Sequence, residues 1–172
     1  MKVYFSTHAT TTDNETGLAS GWKDVELSEL GMQQAQGLSE YFKNIPIYLI
    51  YCSDFKRSHD TATIAFGDRL PILVDQRLRE INYGDFNGKP KDSFNKADYI
   101  NSPFPHGESY KDAVAQLHDF YRELKQKYDS KTVLIVGHQT THFGLDTLVD
   151  GKTIEQCLAV PFKWQPYWEY EL

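Results

Sequence analysis

The sequence predicts an α/β protein, a three-layer sandwich in which a mostly parallel central sheet carries helices on both faces. Three observations lead there. Short apolar runs rich in β-branched and aromatic residues alternate with segments whose apolar residues recur at helical spacing. Two of those runs, Val3–Phe5 and Val133–Val136, end in a histidine after small or hydroxyl residues, His8 and His138, which suggests two strands ending at one sheet edge. At 172 residues the chain fits a single domain, 1–172, with a well-buried core.

Taken in order, the first strand gives way after His8 to a loop rich in Thr, Asn, Asp and Gly, longer than an idle connection needs. Ser28 is an N-cap candidate. Leu30, Ala35, Leu38, Tyr41 and Phe42 then recur at helical spacing until Asn44 and Pro46 stop the helix. Ile47–Cys52 reads as the second strand. Ser53 or Asp54 is expected to cap a helix with Phe55, Ala62 and Ala65 towards the sheet and Lys56 and Arg57 in its first turn. Two cations there oppose the helix dipole, and a bound anion would explain them.

Residues 71–75 read as a third strand, followed by a stretch with Glu80 and Gly84. From Gly88 to Gly107 the chain is polar and proline-bearing, an excursion over the surface. Tyr110, Ala113, Val114, Leu117, Phe120, Tyr121, Leu124 and Tyr128 define the clearest helix, a core-facing stripe with charges opposite. The second histidine strand follows, then a helix from about Thr140 to Leu148 ended by Gly151. The tail after Phe162 reads as a last strand, with Pro166 marking an edge or bulge.

Composition excludes several classes. The net charge of −6 leaves no basic field for nucleic acid or an anionic membrane, so an anionic ligand must be met by a local positive pocket. No apolar run approaches the roughly 20 residues of a membrane span, and no charged-then-apolar leader precedes the first strand; a cytoplasmic location is expected. Cys52 and Cys157 are too few and too far apart for a disulfide framework or a four-ligand zinc site, and read as free thiols.

With these residues in place, the chain resembles the histidine phosphatase superfamily, the phosphoglycerate mutase-like proteins, over essentially its full length. Family members open with R-H-G-x-T-x-x-N. Here 7–14 reads THATTTDN, keeping His8, Thr11 and Asn14 while Thr7 stands for the arginine and Ala9 for the glycine. DVELSELG at 24–31 resembles the next signature, which opens a helix, and CSDFKRSHDTA at 52–62 places Arg57 at the pocket arginine. LREINYGDFNG at 78–88 resembles the stretch carrying the acid, Glu80. PHGES at 105–109 resembles the segment before the long helix, and VLIVGHQ at 133–139 the strand that delivers His138.

The resemblance implies a phosphoglycerate mutase-like fold and a phosphomonoester phosphatase acting on a phosphorylated small molecule or phosphoprotein. It implies no cofactor and no metal. His8 would attack phosphorus and hold the group as phosphohistidine, a neutral imidazole being a competent nucleophile near pH 7. Glu80 would protonate the leaving oxygen and then deprotonate water. Thr7, Thr11, Asn14, Arg57, Gln139 and the second catalytic histidine, His138, would surround the phosphoryl oxygens. A threonine cannot reproduce a bidentate guanidinium, so a second cation is expected to fill the gap, with Arg79, Lys23 and Lys89 as candidates. Arg79 also reads as a plain surface charge. Trp22, residues 89–102 and Phe104 would shape the entrance.

Two other readings stay open within the same fold: a phosphate-binding pseudoenzyme that lost turnover with the arginine, and a mutase-type phosphotransferase. A third takes His138 and His142, four residues apart, as metal ligands with His8.

Overall fold

A computed structural model describes residues 1–172, the side chain of Asp68 excepted. In chain order the elements are β1 (Lys2–Thr7), α1 (Thr12–Glu15), β2 (Leu18–Ala19), α2 (Glu29–Leu38), β3 (Leu49–Cys52), α3 (Lys56–Phe66), β4 (Ile72–Val74), β5 (Lys89–Pro90), α4 (Tyr110–Tyr128), β6 (Thr132–Gly137), α5 (Gln139–Val149), α6 (Ile154–Ala159) and β7 (Trp168–Glu171). The main sheet runs β4-β3-β6-β1-β7. Its first four strands are parallel, and β7 adds an antiparallel edge along β1.

Alternation along the strands divides the core into two layers, as expected for a sheet covered on both sides. Val3 and Phe5 of β1, with Val133 and Ile135 of β6, pack against Leu117, Phe120, Tyr121 and Leu124 of α4 and Leu145 of α5. Tyr4, Leu134 and Val136 face the other way, onto Leu38, Phe42, Ala62, Ala65 and Phe66. The expected three-layer α/β sandwich is therefore the observed one.

Five local expectations are corrected. The helix opened by Ser28 ends at Leu38 and tightens into a 3-10 turn over Ser39–Phe42. Its buried side is Gly31, Ala35, Leu38 and Phe42, while Leu30 and Tyr41 are exposed, because Gly31 lies tightly against the loop after β1 and turns that side inward. Neither Ser53 nor Asp54 caps α3; Phe55 is the N-cap and supplies no side-chain hydrogen bond, because both polar residues are engaged elsewhere. α6, capped by Thr153, lies between Gly151 and the tail, where no helix is expected from the sequence. The excursion after Gly88 is not loose: Phe94, Tyr99 and Phe104 pack with Tyr83 and Phe86 as an aromatic cluster. β5 also pairs with β2, Leu18 opposite Pro90 and Ala19 opposite Lys89. That cluster buries Phe104, so Phe104 does not form an entrance.

Candidate active site

β1 and β6 are neighbours in parallel register, with Thr7 opposite Gly137, so the next residue of each strand, His8 and His138, leaves the sheet at the same edge. The backbone N–H of His8 donates to the Gly137 carbonyl at 2.8 Å, and the two imidazole centroids lie 5.0 Å apart. This edge lies at the carboxyl ends of the parallel strands, where open α/β sheets place ligands.

The loop after His8 is fixed by side chains brought up from α2 and α3 and from Ser28, all distant in the chain. The N–H of Ala9 donates to Thr61 Oγ1, and the N–H of Thr10 donates to Gln34 Oε1, each at 2.9 Å. Ser28 caps α2 by accepting from the Gly31 N–H, and its hydroxyl donates to the Thr10 carbonyl. A Cβ at Gly31 would collide with that same carbonyl oxygen. Gly31→Ala is accordingly expected to destabilise the protein by about 1–3 kcal/mol, since a packed backbone contact must be displaced. Urea unfolding of the variant checks this, and an unshifted midpoint would show that α2 slides freely.

Nδ1 of His8 lies 2.8 Å from the Ala9 carbonyl oxygen, which can only accept. The proton of the neutral ring therefore sits on Nδ1, leaving Nε2 as the basic nitrogen. An edge of the ring reaches the cavity, yet protein encloses it closely. Burial, reinforced by the Arg57 guanidinium, lowers its pKa from 6.5 to about 3. His138 is fully buried and is held well below 6.5 by the same two causes, with His8 adding a smaller push. Its Nε2 lies 2.7 Å from Ser53 Oγ, while its Nδ1 has no partner among the described residues.

These two depressed values carry a stability consequence. Below about pH 6.5 the unfolded chain protonates both imidazoles while the folded one does not, so stability falls as pH falls towards the folded values. Urea midpoints are expected to drop between pH 7 and pH 5. A flat profile over that window, above the range where free carboxylates titrate, would count against two buried neutral histidines.

His8 opens onto a cavity of about 520 Å³ whose lining includes Thr7, Asn14, Arg57, Glu80 and Gln139. Arg57 is 1% exposed; it donates from Nη1 to the Lys23 carbonyl and from Nη2 to the Gly21 carbonyl, with Phe55 under its face at 4.8 Å. Asn14 accepts from the Thr11 N–H with Oδ1, which leaves its amide N–H groups for the cavity. Thr11 itself is not brought to the lining: it is fully buried and caps α1 by accepting from the Asn14 N–H. Thr7 Oγ1 is buried at the floor with no partner among the described residues. Gln139 is the first residue of α5, where backbone N–H groups lack intrahelical acceptors and the dipole favours an anion.

Glu80 is 9% exposed. One carboxylate oxygen, Oε1, accepts from the Ile81 N–H at 3.0 Å, the Thr140 N–H at 3.2 Å and the Thr140 hydroxyl. Three donors on Oε1 fix the carboxylate plane. Oε2 is the oxygen left to exchange protons.

The cation candidates are corrected. Arg79 is held by Asp54 at 2.5 and 2.7 Å with Trp22 at 4.8 Å from its guanidinium, and Lys23 is held by Asp13 at 3.0 Å. Neither they nor Lys89 line the cavity, and neither does Trp22, whose indole N–H donates to the Glu80 carbonyl. The cavity cations besides Arg57 are Lys91 and Lys96, both on the excursion. His142 does not join His8 and His138: its ring stacks on Phe5 at 5.0 Å and lies 4.4 Å from Trp168.

Ser53, Thr140, Lys91, Lys96, Phe162 and Trp164 belong to the site or its supports without having been singled out for it. One signal was available for the lysines. Residues 89–96 carry Lys89, Lys91 and Lys96 against a single Asp92, a local positive stretch in an acidic chain.

Known proteins share the family pattern and the fold. Residues 3–157 match the model of the histidine phosphatase superfamily, branch 1. The chain is similar to a 2,3-bisphosphoglycerate-dependent phosphoglycerate mutase of Beijerinckia indica, at 29% identity over 86% of this chain and 80% of that one. Among solved structures it is similar to YhfR of Bacillus stearothermophilus, with a TM-score of 0.87 and 27% identity over 98% of this chain and 89% of that one. It is also similar to a mycobacterial glucosyl-3-phosphoglycerate phosphatase solved with VO3, with a TM-score of 0.83 and 26% identity over 98% and 91% of the respective chains.

Proposed function

The chain belongs to the histidine phosphatase superfamily, and from that premise we propose that it hydrolyses phosphomonoesters through a phosphohistidine formed on His8. The observation that carries the reading is a neutral histidine, with Nδ1 spent on a carbonyl, open at Nε2 to a cavity that also holds Arg57 and Glu80.

In the first step the Nε2 lone pair attacks phosphorus in line. The P–O ester bond breaks, and protonated Glu80 gives its proton to the leaving oxygen. In the second step a water oxygen attacks the phosphohistidine, Glu80 takes the water proton, and the P–N bond breaks to release orthophosphate. Arg57, the Asn14 amide, the Thr7 hydroxyl and the first turn of α5 offer donors for the charge spread over the non-bridging oxygens. His138 is fully buried and is not among the lining residues; its ring packs 5.0 Å from that of His8, with Nε2 held 2.7 Å from Ser53 Oγ, and so backs the nucleophile.

Phe162 and Trp164, at the same cavity, offer apolar surface to a leaving group, which favours a small metabolite with an apolar face over a bare polyol. The test is a panel of phosphomonoesters assayed for orthophosphate release, with a second phosphate acceptor added in parallel. Release to water supports the phosphatase; transfer to the acceptor alone supports a mutase-type phosphotransferase, the reading favoured by similarity to the Beijerinckia enzyme. Orthophosphate binding with neither reaction supports a pseudoenzyme.

A further inference from the structure

Of the two lysines that line the cavity, Lys91 and Lys96, Lys96 is the one whose ammonium is held against a lining side chain of α5. Lys96 opens a short 3-10 turn, Lys96–Tyr99, capped by Asn95 and anchored in the aromatic cluster through Tyr99. The ammonium donates to Gln139 Oε1 at 3.1 Å and stands 5.5 Å from the centroid of Tyr83. A lysine ammonium has three donors, and Gln139 uses one. Among the described residues no carboxylate pairs with it or with Lys91, whereas cations just outside the cavity are paired: Lys23 with Asp13, Lys56 with Asp60, Arg79 with Asp54. Of the two lining lysines, Lys91 is exposed and Lys96 is half-buried.

A half-buried ammonium with no carboxylate at ion-pair distance is an arrangement that a bound anion relieves. Burial does push the Lys96 pKa down, with Glu80 pulling it part of the way back and Lys91 opposing. The neighbouring floor explains what that anion is. Thr7 supplies a neutral hydroxyl, Asn14 a neutral amide, and Arg57 has already committed two of its N–H groups to carbonyls. A phosphoryl dianion held by Arg57 alone would be under-neutralised. Lys96 reaches the cavity beside Gln139, next in sequence to His138, so its free donors fall on the side where the phosphoryl group meets α5.

We propose that Lys96 is a catalytic residue of this site, its ammonium contacting the non-bridging oxygens of the phosphoryl group and supplying the second positive charge that Thr7 does not. The proposal rests on the phosphatase reading. It differs from a role in leaving-group recognition, because a charge on the transferring group acts on every ester alike.

Lys96→Met, Lys96→Gln and Lys96→Arg are compared with the wild type for orthophosphate binding by calorimetry and for hydrolysis of 4-nitrophenyl phosphate, glycerol phosphate and 3-phosphoglycerate. Loss of the charge is expected to weaken orthophosphate binding by about tenfold or more and to lower kcat/KM by about 10²-fold on all three esters. Lys96→Arg should recover most of both. Lys96→Gln separates charge from packing, since it removes the ammonium while keeping a polar amide; it should fall with Lys96→Met, its melting temperature unchanged.

Unaltered orthophosphate affinity in a folded charge-removed variant overturns the proposal. So does a loss confined to 3-phosphoglycerate, which would place Lys96 on an anionic leaving group, and so does a wild type that binds no orthophosphate. If the wild type binds orthophosphate yet hydrolyses no ester, the phosphatase reading fails while the binding comparison still decides the part played by Lys96.

Discussion

Replacing His8 by alanine is expected to lower turnover by about 10⁴-fold or more on every substrate, because removal of a covalent nucleophile cannot be offset by the donors around it. The wild type should carry phosphate that is released in acid and retained in base, as a phosphoramidate is. That label should be absent from His8→Ala. The geometry gives the expectation its force: Nδ1 of His8 is held by the Ala9 carbonyl, and burial with Arg57 keeps the ring neutral down to about pH 3. The nucleophile is thus unprotonated throughout the neutral range. Stoichiometric labelling that persists in His8→Ala would move the nucleophile elsewhere.

Glu80→Gln should produce the second largest effect, and one that depends on the leaving group. An alkoxide needs a proton as the P–O bond breaks, whereas nitrophenolate departs without one, so the loss should reach about 10²–10⁴-fold on alkyl phosphates and be far smaller on 4-nitrophenyl phosphate in the first step. A glutamine keeps the acceptor oxygen that the Ile81 and Thr140 donors engage, so the loop stays in place while the proton donor is lost. Single-turnover measurements isolate formation of the phosphoenzyme from its hydrolysis. Equal slowing of both esters in that step would mark Glu80 as a structural anchor for α5.

The sequence by itself determined the architecture and the edge to which His8 and His138 are delivered, because both are written in local patterns. Apolar runs in β1 and β6 followed at once by His8 and His138 required only that the two strands be parallel neighbours, and the 5.0 Å separation of the rings follows from that register. The stripe of α4 and the Ser28 cap were legible for the same reason: helix periodicity and capping depend on residues a few positions apart. The family motifs likewise mark His8, Arg57, Glu80 and His138.

Only the tertiary structure decided which polar side chains serve the cavity and which serve one another. Ser53 satisfies a local capping pattern, yet its hydroxyl meets His138 across the sheet; Thr11 satisfies the family pattern, yet it is consumed in a cap. Arg79 and Lys23 lie near the site in sequence, and carboxylates of Asp54 and Asp13, brought up by folding, hold them away. Lys91 and Lys96 enter from a polar excursion whose position is set by a cluster of aromatic rings. The physical reason is that a charged or hydroxyl group takes whichever partner lowers its desolvation cost, and that partner is chosen by contacts distant in the chain, to which spacing along a sequence is blind.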